Sequence, residues 1–428
     1  MLRRLIFPHS LIVTCLMFVL IWVLDIIRIN FHFLNPFNEA IRDYEITDIV
    51  YSRLRSKKIN FDERIVLVNT GRPDRDTLRM MVDRIVDAGA KVIAVDVKLT
   101  KRMNPQTDSL LRQSLMRMEN VVLAIELEGY NMEKDELERK TGCDTFFCDY
   151  VYTGFINFVV ADTSTVRYFS PRETTGNEEV LSFAAQIAQL YNPNAAERLF
   201  KRKKPLEEIY YTGDEDQFFQ FEPYQILDTT LDLRKRLKDK IVIIGFLGSY
   251  AWDEDRHYTP LNHHYTSHNS PDMYGMVIHA NIIRMILDNT YVRELYFWVN
   301  LLLTFVFCYF NIHLFYKIFR RVSIPYQFIT RFLQLGEIII LFFIVALLFH
   351  FYRVKMEVAY WITALLLTFD AVKFYDNGMR KRFVILSRIP YELPPVQKAV
   401  KKPVAVVEGP QQEPQDASEK LVKPNSKE

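Results

Sequence analysis

Apolar positions crowd together at the start of the chain and in its last third, and between these regions they alternate with polar ones. A helix needs roughly 20 mostly apolar residues to cross a bilayer. Four segments approach that: 10–27, 295–315, 333–352 and 356–375. The first carries Asp25 near its end, the second no charge, the third Glu337 near its start, and the fourth Glu357, Asp370 and Lys373. The basic start Arg3-Arg4 and the apolar core of the first segment are those of a signal sequence. No small-x-small cleavage site follows, so the pattern predicts an uncleaved anchor. Short loops rich in lysine and arginine mark the cytoplasmic side. Arg3 and Arg4, the loop with Lys317, Arg320, Arg321 and Arg331, and the run Arg380-Lys381-Arg382 all fit one topology. Both termini are then expected inside and the long middle outside the inner (cytoplasmic) membrane, on the periplasmic side in a bacterial layout.

The middle reads as alternating strands and helices. Ile65-Val66-Leu67-Val68 is a buried-strand run, and Leu78, Met81, Val82, Ile85 and Val86 follow at helical spacing, with Gly89 as the stop. Next come a strand over 92–97, a helix over 108–118 and a strand over 121–125. This order predicts a parallel sheet with helices on its faces. Residues 128–150 read as a polar insertion, 154–159 and 165–169 as a hairpin or adjacent strands, 181–191 as a helix, 240–245 as a buried strand and 276–287 as a helix. The expected fold class is an extracytoplasmic α/β domain with a mostly parallel sheet plus four transmembrane helices. The expected layout is 1–29 anchor, 30–292 outer domain, 293–376 three membrane helices and 377–428 a proline- and charge-rich disordered cytoplasmic tail.

Charge alters this picture little. A net +2 with no concentrated basic face speaks against nucleic-acid binding. The run Lys201-Arg202-Lys203-Lys204 reads as a solvated turn. Asp25, Glu337, Asp370 and Lys373 lie towards segment ends, which argues against a transporter or channel with charges at depth. Asn300, Asn311 and His313 are expected to bond between helices. Cys143 and Cys148 share a polar loop, where a short disulfide and two free thiols are both open readings.

In an open parallel sheet, ligands bind beyond the carboxyl ends of the strands. That rule selects Arg75, Asp96, Asn157 and the acidic run ending at Asp255. Gly245-Phe246-Leu247-Gly248-Ser249 lacks a full phosphate-loop pattern and reads as a tight turn. Five of the nine histidines lie between 257 and 279. His257, His263, His264 and His268 are weak metal candidates, because they share a long polar loop without tight ligand spacing, and no cofactor is expected. No nucleophile motif is present, and no catalytic residue is predicted.

Several runs resemble the second type of CHASE domain, the extracellular sensory domains found with cyclases and histidine kinases. They are the acidic lead-in 48–55, Gly89-Ala90-Lys91-Val92-Ile93-Ala94-Val95-Asp96, Gly154-x-x-Asn157, Asp162, Arg167 and Ser182-Phe183-Ala184. The most specific are Lys240-Ile241-Val242-Ile243-Ile244-Gly245, Asp255-x-x-x-Thr259-Pro260 and Gly275-x-x-Ile278-His279-Ala280. The resemblance covers about residues 40–290, and one helix before the domain with three after it is also that family's layout. The run 162–167 departs from the family's acidic-acidic-glycine turn. The resemblance adds Arg167 and His279 to the candidate ligand-binding residues. It implies a membrane-anchored sensor or receptor without its own output domain. An extracytoplasmic cue of unidentified chemistry and a separate signalling or envelope protein would be its partners, with homo-oligomer formation a further expectation. An envelope scaffold and, less favoured, a metal-dependent periplasmic enzyme are the alternatives.

Overall fold

The computed structural model describes residues 7–27, 46–54, 60–131, 136–159, 165–176, 178–248, 255–262, 270–321, 326–383 and 386. The strands of its main sheet are β1 (Asp62–Asn69), β2 (Val92–Val95), β3 (Val121–Asn131), β4 (Glu136–Thr141), β5 (Tyr152–Phe155), β6 (Arg172–Thr175), β7 (Glu178–Leu181), β8 (Phe218–Phe221) and β9 (Ile241–Gly245). They run in the order β8-β1-β9-β2-β3-β4-β6-β7, with β5 also paired to β3. From β8 across to β3 and on to β5, every pairing is parallel. β2 and β9 are buried along their whole length. That is why they are continuous apolar runs rather than alternating ones.

The helices are α1 (Pro8–Ile27), α2 (Arg75–Asp87), α3 (Pro105–Leu115), α4 (Phe183–Tyr191), α5 (Pro193–Lys201), α6 (Gly275–Asp288), α7 (Phe297–Arg321), α8 (Tyr326–Tyr352) and α9 (Ala359–Phe374), and α2 to α6 cover the two faces of the sheet. Asp74 caps α2 by accepting a bond from the Thr77 amide at 2.7 Å. Leu78, Met81, Val82 and Ile85 bury one stripe of that helix, and Gly89 at φ +80° releases the chain into β2. Alternation along the strands divides the core. Val66, Val68, Ile93, Val95, Val242 and Ile244 pack on α2 and α3. Ile65, Leu67, Val92, Ala94, Ile241 and Ile243 pack on α4, α5 and α6.

The predicted strands and helices of the parallel core all form, within a few residues of their expected ends. For 154–159 and 165–169, read as a hairpin or adjacent strands, the structure shows a single bridge and no regular hairpin ladder among the described residues. β5 joins the parallel sheet, Val159 and Tyr168 form an isolated bridge, and Tyr168–Phe169 pairs with Glu207–Glu208. Within the 128–150 insertion, β3 runs on to Asn131 and pairs antiparallel with β4. Cys143, which precedes the short helix Thr145–Cys148, is bonded to Cys148 at its end, with Cα atoms 6.3 Å apart. The basic run at 201–204 closes α5, but Arg202 is not wholly solvated, since it binds the buried Glu207.

Two helical stretches, Phe297–Lys317 and Thr330–Tyr352, are long and apolar enough to cross a membrane. The apolar stretch Pro8–Val23 of α1 is shorter. α9 has 16 residues, roughly 24 Å of rise against a hydrocarbon core of about 30 Å, and Asp370 and Lys373 interrupt its apolar run. All four nevertheless pack as one bundle. Val13, Met17 and Ile21 of α1 meet Cys308 and Ile312 of α7 and Ala364, Ala371 and Val372 of α9, and α8 packs on α9 through Leu341, Val345, Trp361 and Leu365. The Asn300 side chain donates to Glu357 O and accepts from Trp361 Nε1, each at 3.0 Å.

The α/β domain and this bundle share packing. Ala346 and Phe349 of α8 belong to the same apolar cluster as β1 and α6. Tyr51, in the helical segment that precedes β1, lies 5.3 Å from the Phe349 ring and bonds Ile209 O. In the turn after α8, Lys355 Nζ meets Glu208 Oε2 at 3.1 Å and Tyr168 OH at 3.0 Å, and Val354-Lys355 pairs with Arg293-Glu294.

Candidate functional site

Neighbouring strands β1, β9, β2 and β3 deliver their carboxyl ends to one edge of the sheet. The chain leaving β9 passes to α6 on one face, whereas the chains leaving β1 and β2 pass to α2 and α3 on the other. Connections diverge on both sides of β9, and the crevice that such divergence makes is the usual ligand position in open parallel sheets.

Two glycines set its walls. Asp96 follows β2, and its amide donates to Ile244 O at 2.7 Å. A Cβ on Gly245 would lie 3.2 Å from the Asp96 Cβ and 3.2 Å from Met276 Sδ, so the missing side chain lets Asp96 and the first turn of α6 approach. A Cβ on Gly275 would lie 3.2 Å from Asp255 Oδ1, so this second glycine seats Asp255 against the start of α6. His257 Nε2 is 3.9 Å from Asp255 Oδ1. The Phe158 ring lies 5.0 Å from His257 and 4.8 Å from the buried His279, which Phe183 flanks at 5.2 Å. Nearby, Asp272 accepts two bonds from Thr259, at 2.5 and 2.8 Å.

Partial burial dominates the electrostatics, with the Asp255 side chain still 46% exposed. Burial, and then the negative charge of Asp255, push the Asp96 carboxyl up to about 7, with Lys98 opposing and Glu126 adding. Burial raises Asp255 and Asp272 to about 6 each. Burial, with a smaller effect of His257, pushes His279 down to about 3, so near neutral pH its imidazole is uncharged. A carboxyl raised in the folded state favours folding at low pH, and this contribution is lost as pH rises through the folded value. The three carboxyls therefore withdraw stability as pH rises from about 4 to about 7, while the lowered His279 contributes in the opposite sense below about pH 6.5. Asp96→Asn should flatten that slope and stabilise the protein at pH 8 by about 1–2 kcal/mol, a range reduced for solvent screening. Unfolding midpoints of both proteins across that range and at pH 8 measure it, and parallel slopes would refute it.

The arrangement brings together Asp96, Asp255, His257 and His279, four residues selected from the sequence. It can hold protons and accept hydrogen bonds from a donor-bearing ligand. Among the described residues no group of three histidine, cysteine or acidic side chains is placed to hold a metal. His263, His264 and His268 lie outside the described residues.

The other candidates stand elsewhere. Arg75 turns to α3, where its Nε lies 3.6 Å from the buried Asp108 and Nη2 donates to Lys101 O at 3.2 Å. With Lys98 and Lys101 it lines a separate cavity of about 490 Å³. Asn157 both donates to Leu127 O and accepts from Leu127 N, which extends the β5–β3 pairing beyond Phe155. Arg167 is buried 2.6 Å from Asp48. The backbone after β9 is occupied by the protein itself, since Asn69 Oδ1 accepts from the amides of Gly71 and Leu247. Phe158 and Asp272 were not singled out from the sequence. An isolated aromatic and an isolated acid have no periodicity to mark them, and only the β5 and α6 connections bring them to the crevice.

Comparison with known proteins agrees with this architecture. No curated protein and no solved structure matches the chain. The model of the CHASE2 domain, an extracellular sensory domain of signalling receptors, matches residues 59–313, from just before β1 into α7. As that match takes in more than half of the chain, the protein belongs to the CHASE2 domain family.

Proposed function

We propose that this chain is a membrane-anchored sensor that reads an extracytoplasmic cue and passes the change through its helix bundle to a separate protein. The observation that carries this reading is the apolar cluster common to β1, α6 and α8. A cue that shifts the crevice at the start of α6 acts on the same packed unit as Phe349. Closely packed interiors transmit such strain instead of absorbing it. The ion pair Lys355–Glu208 and the Tyr51–Phe349 contact form a second link at the outer end of α8. In this reading all four helices cross the inner membrane, with both termini inside and the α/β domain outside. No catalytic step is assigned. The proline- and charge-rich residues 377–428 and the basic loop between α7 and α8 are the surfaces offered to the cytoplasmic partner.

A ligand shifts such an equilibrium only by its differential affinity for the two states. The test uses the full-length chain in lipid nanodiscs, with spin labels on α1 and α8, screened against metals, nucleotides, sugars and envelope extract. At least one class should raise the unfolding temperature and also change the label distance. Phe349→Ala should keep the first effect and lose the second. Absence of any small-molecule effect, together with a stable envelope-protein partner, would replace the sensor with a scaffold.

A further inference from the structure

Five strands at one end of the main sheet close almost into a ring. β3 pairs with both β5 and β4, β4 with β6, and β6 with β7. Just past β7, Ser182 returns to Phe155 of β5 through a single bridge, and Ile125, Leu127, Phe155 and Val180 pack together. Among the described residues that bridge is the one pairing between β5 and β7, so the ring keeps an open seam. A cavity of about 600 Å³ lies at this seam, a size usual for small-molecule sites. It shares no lining residue with the crevice after β9.

The side chains around the seam narrow the class of occupant. Its charges are already matched, since Lys140 meets Glu178 at 2.6 Å and Arg172 meets Glu179 at 2.8 Å. A charged ligand would be attracted by one member of each pair and repelled by the other. Charged side chains along an edge such as β7 also keep a further strand from adding to it, which speaks against an extended peptide. Gln186 and Gln189 stand three residues apart on α4, and both reach the cavity. Each side-chain amide can donate and accept, and among the described residues neither has a hydrogen-bond partner. An apolar ligand would take water from both amides and return nothing. Two rings complete the lining: Tyr152, 47% exposed at the start of β5, and Phe200 of α5. What suits such a set is a neutral molecule with apolar C–H faces bordered by hydroxyls that both donate and accept.

We propose that this cavity binds a neutral sugar, with Gln186 and Gln189 bonding its hydroxyls and Tyr152 lying against the C–H face of one ring. A free sugar and a unit of a polysaccharide present the same chemistry here. The proposal goes beyond the sensor reading, and the binding stands with or without it.

The test is calorimetric titration of the full-length chain in lipid nanodiscs, free of sugar-headed detergent, with maltose, cellobiose and N,N′-diacetylchitobiose. At least one should bind, and Gln186→Leu/Gln189→Leu and Tyr152→Ala should each weaken it at least tenfold. Gln189 and Tyr152 are exposed, so Gln189→Leu alone serves if the double variant fails to fold. Met103→Ala, at an exposed position outside the cavity, should leave binding unchanged. No binding of any of the three sugars, or binding that survives the glutamine and tyrosine variants, would overturn the proposal. So would tighter binding of dialanine, of sucrose octasulfate or of a valine-threonine hexapeptide, which stand for a zwitterion, an anion and an added strand. The hexasaccharide of whichever sugar binds separates the sources. Equal or tighter binding supports the site as one for a polysaccharide unit, and exclusion supports it as one for a free sugar. A failed titration with the cue-driven distance change intact would leave the sensor reading standing, and the reverse result would leave the sugar site standing.

Discussion

Arg167→Met is expected to lower the stability of the outer domain by about 3–5 kcal/mol, because it removes one partner of a buried ion pair. The two side chains meet at 2.6 Å with 5% and 6% of their surfaces exposed. An exposed pair would contribute under about 1 kcal/mol, so burial decides the size of the effect. Breaking one side of a buried pair is far more damaging than replacing both sides with apolar groups. The double variant Asp48→Leu/Arg167→Met should therefore recover much of the loss. Denaturant unfolding of the full-length chain in detergent, followed by near-ultraviolet circular dichroism, measures both. Equal losses in the single and double variants would show that the cost lies in packing and not in charge. The pair also has a mechanical place. Asp48 belongs to the helical turn Ile46–Ile49, which contacts α8, while Arg167 precedes Tyr168, a partner of Lys355.

Gly154→Ala should cost about 3 kcal/mol, at the upper end of the usual range for overpacking. The added Cβ would fall 2.6 Å from the Phe183 Cα and 2.9 Å from its backbone nitrogen. Backbone cannot yield as a side chain does, so β5 and the start of α4 would have to separate. Both hold the crevice, through Phe158 beyond β5 and through Phe183, each beside His279. Gly71→Ala is the informative control. Its φ is +59° and its surroundings are open, so only conformational strain of about 1 kcal/mol is expected. If the two variants lose equal stability in the same unfolding experiment, the close contact at Gly154 is not what the residue is for.

Much of this protein can be read from the order of its residues alone. Continuous apolar runs at 65–68, 92–95 and 241–245 can be satisfied only as strands covered on both faces, and the helical spacing between them demands a parallel sheet. Capping and stop residues such as Asp74 and Gly89 place helix ends locally. Asp96, Asp255, His257 and His279 were legible as candidates because strand ends and family motifs are local too. The partners of Arg75, Asn157 and Arg167 were not, since Asp108, Leu127 and Asp48 lie 33, 30 and 119 residues away along the chain. The same holds for the pairing of Tyr168–Phe169 with Glu207–Glu208, because a two-residue strand has too little pattern to specify its partner. The tertiary structure alone decided that the sensory core continues into α8. Apolar residues facing lipid and apolar residues facing a domain read alike in a sequence, and only close packing separates Phe349, which is buried, from Phe351, which is exposed.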